Sequence, residues 1–241
     1  MRSRSRRDFD PAAADLHVHT HHSDGSDSPS EVVEEARARG IKVIAVTDHD
    51  CIEGALIAAR HAGARPGVEV IVGEEVSTLD GHVIGLFLKE LIPPWMGAAQ
   101  TVSAIHEQGG LAVAAHPYWR IRGRRPGRLP HGVGNLIASA GFDAVEILNG
   151  GFTPSMVYAN LIAGWANAHI GLAETGGSDA HVKQAIGSAA TLFEGSSARD
   201  LRASIVYGRT TAKVGRQSAI ALGRYVAWGI TPRPRPALEV S

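Results

Sequence analysis

Short apolar, β-branched runs alternate along this chain with segments of helix length, and this alternation constrains the fold more than any other feature. The run from Lys42 to Thr47 is typical, because Val43, Ile44 and Val46 leave no polar face and indicate a strand buried on both sides. Helix-length segments between such runs are what crossovers between parallel strands require. The 241 residues show no linker in mid-chain. We therefore expect a single α/β domain, built as a barrel or a wound sheet.

Histidines and carboxylates lie where these predicted strands end. In the first strand one residue separates His17 from His19, so the side-chain period of two places both imidazoles on one face. The other candidates follow the carboxyl ends of later strands, except His82, which opens a strand returning from a hairpin. The full set is His17, His19, Asp24, His49, Glu75, His82, His116, Asp179 and His181. In a β/α barrel the carboxyl ends of the strands converge on one face, so we expect these side chains to meet there.

The candidate set points to a metal centre with more than one ion. Six imidazoles and three carboxylates are too many for one tetrahedral ion and suit two or three ions that share a bridging carboxylate. Nitrogen and oxygen ligands without thiolate favour zinc, manganese or iron over magnesium. A structural ion is usually closed by four ligands, so the larger set implies open positions for water and substrate.

Charge and composition exclude several other kinds of protein. Lys plus Arg and Asp plus Glu both number 24, so the overall charge demands neither nucleic acid nor an anionic membrane as partner. No apolar run reaches the ~18 residues of a membrane-spanning helix. The single cysteine, Cys51, cannot form an internal disulfide, which favours a reducing, cytoplasmic location. No obligate protein partner is evident.

The two ends of the chain differ from its middle. The basic segment at residues 1–14 predicts a flexible arm, and the Pro- and Arg-rich residues 226–241 predict an unstructured tail. The folded domain is then expected over residues 15–225.

Six short motifs surround the candidate ligands. They are Asp15-Leu16-His17-Val18-His19-Thr20, Ser23-Asp24-Gly25, Thr47-Asp48-His49-Asp50, Gly73-Glu74-Glu75-Val76-Ser77, Ala115-His116-Pro117 and Ser178-Asp179-Ala180-His181. Their order resembles that of the PHP (polymerase and histidinol phosphatase) metallophosphoesterases, over residues 15 to about 195. The resemblance implies a distorted seven-stranded β/α barrel with two or three metal ions. It also implies a substrate: a nucleotide, a short nucleic acid or a small phosphorylated metabolite, hydrolysed as a phosphate mono- or diester by metal-activated water.

The resemblance also assigns the candidates to ions. It implies His17, His19 and Asp179 for the first ion, His82 and His116 for the second, and Asp24, His49 and His181 for the third. Glu75 matches the bridging glutamate of the pattern Gly-x-Glu-x-Ser, and Glu74 is then expected to face away.

The same resemblance suggests catalytic roles and leaves alternatives. His181 and His116, together with Asp179, are the candidate catalytic residues, the two histidines as proton donors to the leaving alkoxide. Because the same activated water can attack a carbonyl, a metallohydrolase of carboxylic or carbamic esters is the first alternative. A non-catalytic metal-binding interaction module is the second, and it predicts missing ligands.

Two features depart from the family or extend it. A helical insertion precedes the Ala-His-Pro motif in many small PHP proteins, but only 27 residues, Lys89 to Ala115, occupy that interval here. A small stand-alone member is therefore expected. Arginines follow His116 directly, and guanidinium groups bind phosphate bidentately, so these are candidate substrate contacts, with a solvated basic loop as the alternative. They are Arg120, Arg122, Arg124 and Arg125. Asp48, Glu146 and Asn149 are candidates for hydrogen bonds to the site, with turn or capping roles as the alternative.

Overall fold

The computed structural model describes residues 11–119, 130–216 and 219–230. The strands in these ranges are β1 Ala12–Val18, β2 Val43–Val46, β3 Glu69–Ser77, β4 His82–Leu86, β5 Leu111–Ala114, β6 Ala144–Asn149, β7 Ala173–Gly177, β8 Ala189–Phe193 and β9 Thr211–Val214. The α-helices are α1 Pro29–Ala38, α2 Glu53–Gly63, α3 Ala98–Glu107, α4 Pro154–Ile170, α5 Ala198–Val206 and α6 Ala219–Ile230. No helix in the described ranges is long and apolar enough to cross a membrane.

The strands form one sheet that curves into a barrel. Their order is β7-β6-β5-β4-β3-β2-β1-β8-β9, and β7 lies back against β1 and β8. At this seam the backbone N–H of Gly176 donates to the hydroxyl of Thr191 over 2.9 Å, and the N–H of His19 donates to the carbonyl of Ala180 over 3.0 Å. The predicted α/β barrel is confirmed, with nine described strands instead of seven.

The ends of the domain differ from the predicted boundaries. Residues 12–14, expected in the flexible arm, belong to β1 because they pair antiparallel with β8, a strand far away in sequence. Residues 226–230, expected in the tail, continue α6 to Ile230. Residues 1–10 and 231–241 lie outside the described part of the chain.

Alternate residues of β2 pack on opposite sides of the barrel wall. Val43 and Ala45 belong to the cluster that fills the interior, whereas Ile44 and Val46 pack beneath α1 and α2. All four residues are buried. This two-sided burial is what a run without a polar face predicts for a strand flanked by parallel neighbours.

A bulge near the end of β1 re-aims its histidines. The pairing between β1 and β2 shifts between Asp15 and Val18. Leu16 packs inside the barrel, but Val18 packs in the outer cluster. A regular strand would place these two residues on the same face, so the shift turns His17 and His19 toward the interior end of the barrel.

The interval between β4 and β5 holds one helix, α3. Its apolar residues Val102 and Ile105 pack on the outer face of the sheet, in the same cluster as Val83 and Ala112. The short interval therefore places one helix on the outer face of the sheet between two adjacent antiparallel strands, and no helical cap stands over the mouth of the barrel in this part of the chain.

Candidate metal centre

All nine candidate ligands meet at one end of the barrel. Their donor atoms form four overlapping groups, and within each group the atoms lie within 4.8 Å of one another. The groups are His17, His19 and Glu75; His49, Glu75 and His82; His17, His116 and Asp179; and His19, Asp24, His49 and His181. The structure thus brings together every residue in the candidate set, while their role as ligands stays a prediction.

Glu75 lies at the centre of the cluster and is 1% exposed. Its Oε2 lies 3.1 Å from Nε2 of His17 and 3.2 Å from Nε2 of His19. Its Oε1 faces the other way, 2.7 Å from Nδ1 of His82 and 3.0 Å from Nε2 of His116. A carboxylate that offers one oxygen to each of two imidazole pairs has the arrangement of a bridging ligand.

The hairpin between β3 and β4 supplies His82. His82 pairs with Ser77 in the antiparallel ladder, so the two side chains lie on the same face of the sheet. Glu75, two residues before Ser77, has its side chain on that face too. Despite the short connection, the imidazole therefore reaches the carboxylate. Glu74, on the opposite face, accepts a hydrogen bond from the N–H of Ile92 over 2.9 Å, and so faces away from the cluster.

The group of His19, Asp24, His49 and His181 lies nearest to solvent. Nε2 of His181 is 3.1 Å from Oδ2 of Asp24, and Nδ1 of His19 is 3.6 Å from Oδ1 of the same carboxylate. The side chains of Asp24 and His49 are 36% and 27% exposed, whereas His17 and His19 are fully buried. A substrate therefore meets this group first.

His19 supplies the test of whether the cluster fits a metal. Both of its ring nitrogens are buried, and neither makes a hydrogen bond. Carboxylate oxygens of Glu75 and Asp179 nevertheless lie 3.2 and 3.3 Å from Nε2. Buried polar atoms normally have hydrogen-bond partners, so an imidazole surrounded by carboxylates without one fits a ligand whose partner is a cation.

The charges of the cluster perturb one another strongly. Burial disfavours the charged form of His19, but Asp179, Glu75 and Asp24 outweigh it and raise the pKa of this imidazole to about 10. Burial by itself raises the pKa of the Glu75 carboxyl, yet the surrounding histidines hold that pKa well below its usual range. Burial lowers the pKa of His49 to about 3. Anionic carboxylates therefore occupy a buried space that requires positive charge.

Two candidate ligands have unusual backbones. His116 and Asp179 are two of the five described non-glycine residues with positive φ, at 26° and 52°. Such conformations are costly for residues with a Cβ and persist where the surroundings hold them. At His116 one such contact is present: its backbone N–H donates to Oε2 of Glu146 over 2.9 Å.

Glu146 and Asn149 support the cluster through hydrogen bonds. Oε1 of Glu146 lies 3.0 Å from Nδ1 of His17. The amide of Asn149 donates to Oε2 of Glu146 over 3.0 Å and to Oδ2 of Asp179 over 3.1 Å. The hydrogen-bonding role considered for these two strand-end residues is therefore present.

Asp48 organises the loop that carries Asp24. It is fully buried, and its carboxylate accepts hydrogen bonds from the N–H of Thr20, the hydroxyl of Thr20 and the hydroxyl of Ser23, each over 2.7 Å. The turn beside His49 therefore holds the residues that follow His19 in place.

Sequence reasoning missed the contribution of α6. The hydroxyl of Tyr225 donates to the carbonyl of Asp179 over 3.1 Å, and the indole N–H of Trp228 donates to the carbonyl of Asp24 over 2.8 Å. In the sequence, the signal of this helix face is an aromatic pair three residues apart in an apolar segment. That signal indicates a helix face but does not identify what the face contacts.

The four arginines proposed as substrate contacts, Arg120, Arg122, Arg124 and Arg125, lie outside the described residues. The residues on either side of that segment are described. The ring of Trp119 lies 5.4 Å from that of His116, and the ring of His131 lies 5.3 Å from that of His82. Trp119 and His131 therefore lie at the edge of the cluster.

Comparisons with known proteins show the family of the chain. Residues 15–204 match the PHP domain family. An uncharacterized protein of Methanocaldococcus jannaschii is 37% identical over 147 residues, which are 56% of this chain and 81% of the relative. The phosphoribosyl 1,2-cyclic phosphate 1,2-diphosphodiesterase of Eggerthella lenta is 46% identical over 85 residues, 33% of this chain and 32% of that enzyme. The chain thus matches about a third of the length of this named relative.

A solved structure shares the fold. A two-domain protein of Bacteroides vulgatus that contains a predicted PHP-like metal-dependent phosphoesterase superposes with a TM-score of 0.68 at 19% identity, covering 85% of this chain and 65% of that one. Because the family match spans residues 15–204 of the 241, the chain belongs to the PHP domain family.

Proposed function

We propose that this protein is a metal-dependent hydrolase of phosphoric esters that uses two or three divalent ions, manganese, zinc or iron, at the cluster around Glu75. The observation that carries the proposal is the position of that carboxylate, with Oε2 toward His17 and His19 and Oε1 toward His82 and His116. Membership of the PHP domain family and the likeness to a phosphodiesterase support the reaction class. Divalent ions, when bound, supply positive charge against the phosphoryl oxygens and activate a water.

The residues of the chain prepare this centre by fixing imidazole tautomers. Nδ1 of His181 lies 3.0 Å from the carbonyl oxygen of Asp179, which only accepts, so Nδ1 carries the proton and Nε2 keeps its lone pair for an ion. Glu146 has the same effect on His17. Asn149 donates a hydrogen bond to Oδ2 of Asp179, while Oδ1 of Asp179 faces His17 and His19. The catalytic role proposed for Asp179 is therefore to hold a negative charge at this position.

His116 and His181 are the two proposed proton donors. Both ring nitrogens of His181 have partners, Asp179 and Asp24. Nδ1 of His116 makes no hydrogen bond, while its Nε2 faces Glu75. The proton that the leaving alkoxide requires is proposed to come from one of these two histidines.

The substrate we propose is a phosphate mono- or diester of a nucleotide, a short nucleic acid or a small phosphorylated metabolite. The support is the exposed edge formed by Asp24 and His49, which leaves an approach for a substrate larger than phosphate. The named relative is a cyclic phosphate diphosphodiesterase.

The compartment is proposed from cysteine usage. The one cysteine of the sequence, Cys51, is a free thiol, and proteins without disulfides are the rule in reducing compartments. We therefore place the protein in the cytoplasm.

Metal reconstitution followed by a substrate screen tests the function. Protein stripped with a chelator and reloaded with Mn²⁺ is expected to hold at least two ions per chain by elemental analysis and to hydrolyse phosphate mono- or diesters, while the stripped protein does not. A stoichiometry at or below one contradicts the multinuclear centre. Faster turnover of a neutral aryl ester than of any phosphate ester would favour the carboxylic or carbamic ester hydrolase. Full metal loading without turnover of any ester would favour the non-catalytic module.

A further inference from the structure

The helix α6 lies outside residues 15–204, which match the family, yet its side chains reach the metal centre. Ala221 is 5% exposed and packs in the cluster beneath α1 and α2, and Tyr225 and Trp228 pack against the same cluster. The helix is therefore docked on the barrel by its own apolar residues. It differs from a helix that only covers the barrel in the positions of the Tyr225 hydroxyl and the Trp228 indole N–H.

Tyr225 holds the segment that carries two candidate ligands. Its hydroxyl donates to the carbonyl of Asp179 over 3.1 Å and accepts from the N–H of His181 over 3.2 Å. One side-chain atom thus satisfies the backbone on both sides of Ala180. Because Asp179 has a positive φ of 52°, this segment departs from regular strand geometry and depends on such contacts.

Trp228 holds the segment that carries a third candidate. Its indole N–H donates to the carbonyl of Asp24 over 2.8 Å. Its ring also lies edge-on to the imidazole of His181, with the ring centres 4.7 Å apart. A single side chain therefore contacts both His181 and the backbone of Asp24, whose side chains meet 3.1 Å apart.

These contacts converge on one of the candidate ion positions. Asp24 and His181 belong to the group formed with His19 and His49. Asp24 is the most exposed member of the candidate set, at 36%. By contrast, the contacts of Tyr225 and Trp228 described above involve none of the residues around Oε1 of Glu75.

We propose that α6 is a clamp for the third ion, in which Tyr225 and Trp228 are positioning residues that hold His181 and Asp24 at ligand distance. The proposal rests on the proposed metal centre and adds a device that the matched family region does not contain. Hydrogen bonds to the residues that carry metal ligands typically change metal affinity by about 10- to 100-fold, and here the effect is confined to one of three ions.

Metal binding by conservative variants tests the clamp. The full chain is stripped, titrated with Mn²⁺ alone, and compared with Tyr225→Phe and Trp228→Phe, which remove the hydrogen-bonding atoms and keep an aromatic ring at each position. The wild type is expected to bind three ions. Each variant is expected to keep two with unchanged affinity and to bind the third about 10- to 100-fold more weakly.

The matched control is Ile220→Ala, an exposed side chain on the same helix, at 69%. Wild-type affinity for all three ions in this control, with selective weakening in the two test variants, supports the clamp. Unchanged third-ion affinity in Tyr225→Phe and Trp228→Phe overturns it, as does equal weakening of every ion or the same loss in Ile220→Ala. A wild-type protein that binds only two ions also overturns the clamp but leaves the proposed hydrolase intact. Absence of phosphoesterase activity in a protein with the expected third-ion behaviour overturns the function and not the clamp.

Discussion

The carboxylate of Glu146 lies 3.0 Å from Nδ1 of His17, on the side of the ring opposite to Glu75. His17 is fully buried between the two carboxylates. Burial disfavours its charged form, but Asp179, Glu75 and Glu146 together raise its pKa well above the ordinary value. When the proton sits on Nδ1, the hydrogen bond to Glu146 leaves Nε2 directed at the bridging carboxylate and available to an ion.

We expect Glu146→Gln to weaken metal binding while leaving the fold intact. The two carboxylate oxygens accept hydrogen bonds from His17, His116 and Asn149. The amide has one oxygen and cannot accept all of them. Loss of such a partner typically costs about 10- to 100-fold in metal affinity. The measurement is a Mn²⁺ titration, with Glu174→Gln on the neighbouring strand β7 as control. Equal affinities in Glu146→Gln and wild type would contradict the role given to Glu146.

The adjacent residues Glu75 and Glu74 give a second prediction with an internal control. Glu75→Gln is expected to remove one or both of the bridged ions and to reduce turnover by several orders of magnitude, because an amide offers only one oxygen to two imidazole pairs. Glu74→Gln is expected to keep metal content and activity, because its carboxylate contacts Ile92 and not the cluster. Elemental analysis and steady-state kinetics of both variants measure this. Comparable losses in both would show that the assignment of the bridge to Glu75 is wrong.

The same control variant carries a prediction about pH. Burial raises the pKa of the Glu74 carboxyl from 4.5 to about 8. The folded state then binds the proton more tightly than the unfolded state, so wild-type stability falls as pH rises between these two values. Glu74→Gln has no such titration, and its stability relative to wild type is expected to increase between about pH 4.5 and about pH 8. Urea denaturation at several pH values measures the difference, and parallel pH profiles would contradict it.

Much of the barrel was predictable because several of its strands are apolar runs that are easily recognised in the sequence. The runs at β2 and β5 are apolar throughout, and both are buried at every position. The strand β9, Thr211–Val214, gave no such signal, since three of its four residues are exposed. The helix α6 was missed for a different reason: Gly223 and Gly229 interrupt its sequence, and glycine lowers helix propensity.

The candidate site was also predictable from the sequence only in part. Polar residues at the ends of neighbouring strands were expected to converge. This rule selected the side chains that the structure brings together in groups, within each of which the donor atoms lie within 4.8 Å of one another. The rule contains no information on the bulge that turns His17 inward, since a bulge depends on the pairing of β1 with β2. It also contains none on Trp228, which contacts Asp24 across 204 residues of sequence. Such long-range contacts follow from the assembled fold and not from local pattern.

Asp48 provides a stability prediction. Its carboxylate accepts three hydrogen bonds from Thr20 and Ser23 while fully buried. In Asp48→Ala the backbone N–H of Thr20, a buried residue, loses its acceptor, so we expect a loss of about 1 to 3 kcal/mol in the free energy of unfolding. Urea denaturation of the metal-free protein measures it, and Glu90→Gln, an exposed carboxylate, serves as control with an expected change within about 0.5 kcal/mol. A loss no larger than that of the control would mean that the loop is held by other contacts.

The arginines that follow His116 provide the last prediction, which concerns substrate charge. Trp119 and His131 stand on either side of their segment, with ring centres 5.0 Å apart and in contact with His116 and His82. Trp119 and His131 therefore lie beside the imidazoles that face Oε1 of Glu75. Because guanidinium groups bind phosphate bidentately, the arginines between these two residues in the sequence stay our proposed substrate contacts.

We expect Arg122→Gln combined with Arg124→Gln to raise the Michaelis constant for a phosphodiester and to leave metal content unchanged. Loss of charge-assisted contacts is worth about 1.5 to 3 kcal/mol, or roughly a 10- to 100-fold reduction in kcat/KM. The matched control replaces two exposed arginines far from this segment in sequence, Arg60 and Arg199, with glutamine. Kinetics on a phosphodiester and on a neutral aryl ester separate the two readings of the segment, because a phosphate contact affects only the charged substrate. A double variant that matches the control on both substrates would assign these arginines to a solvated loop.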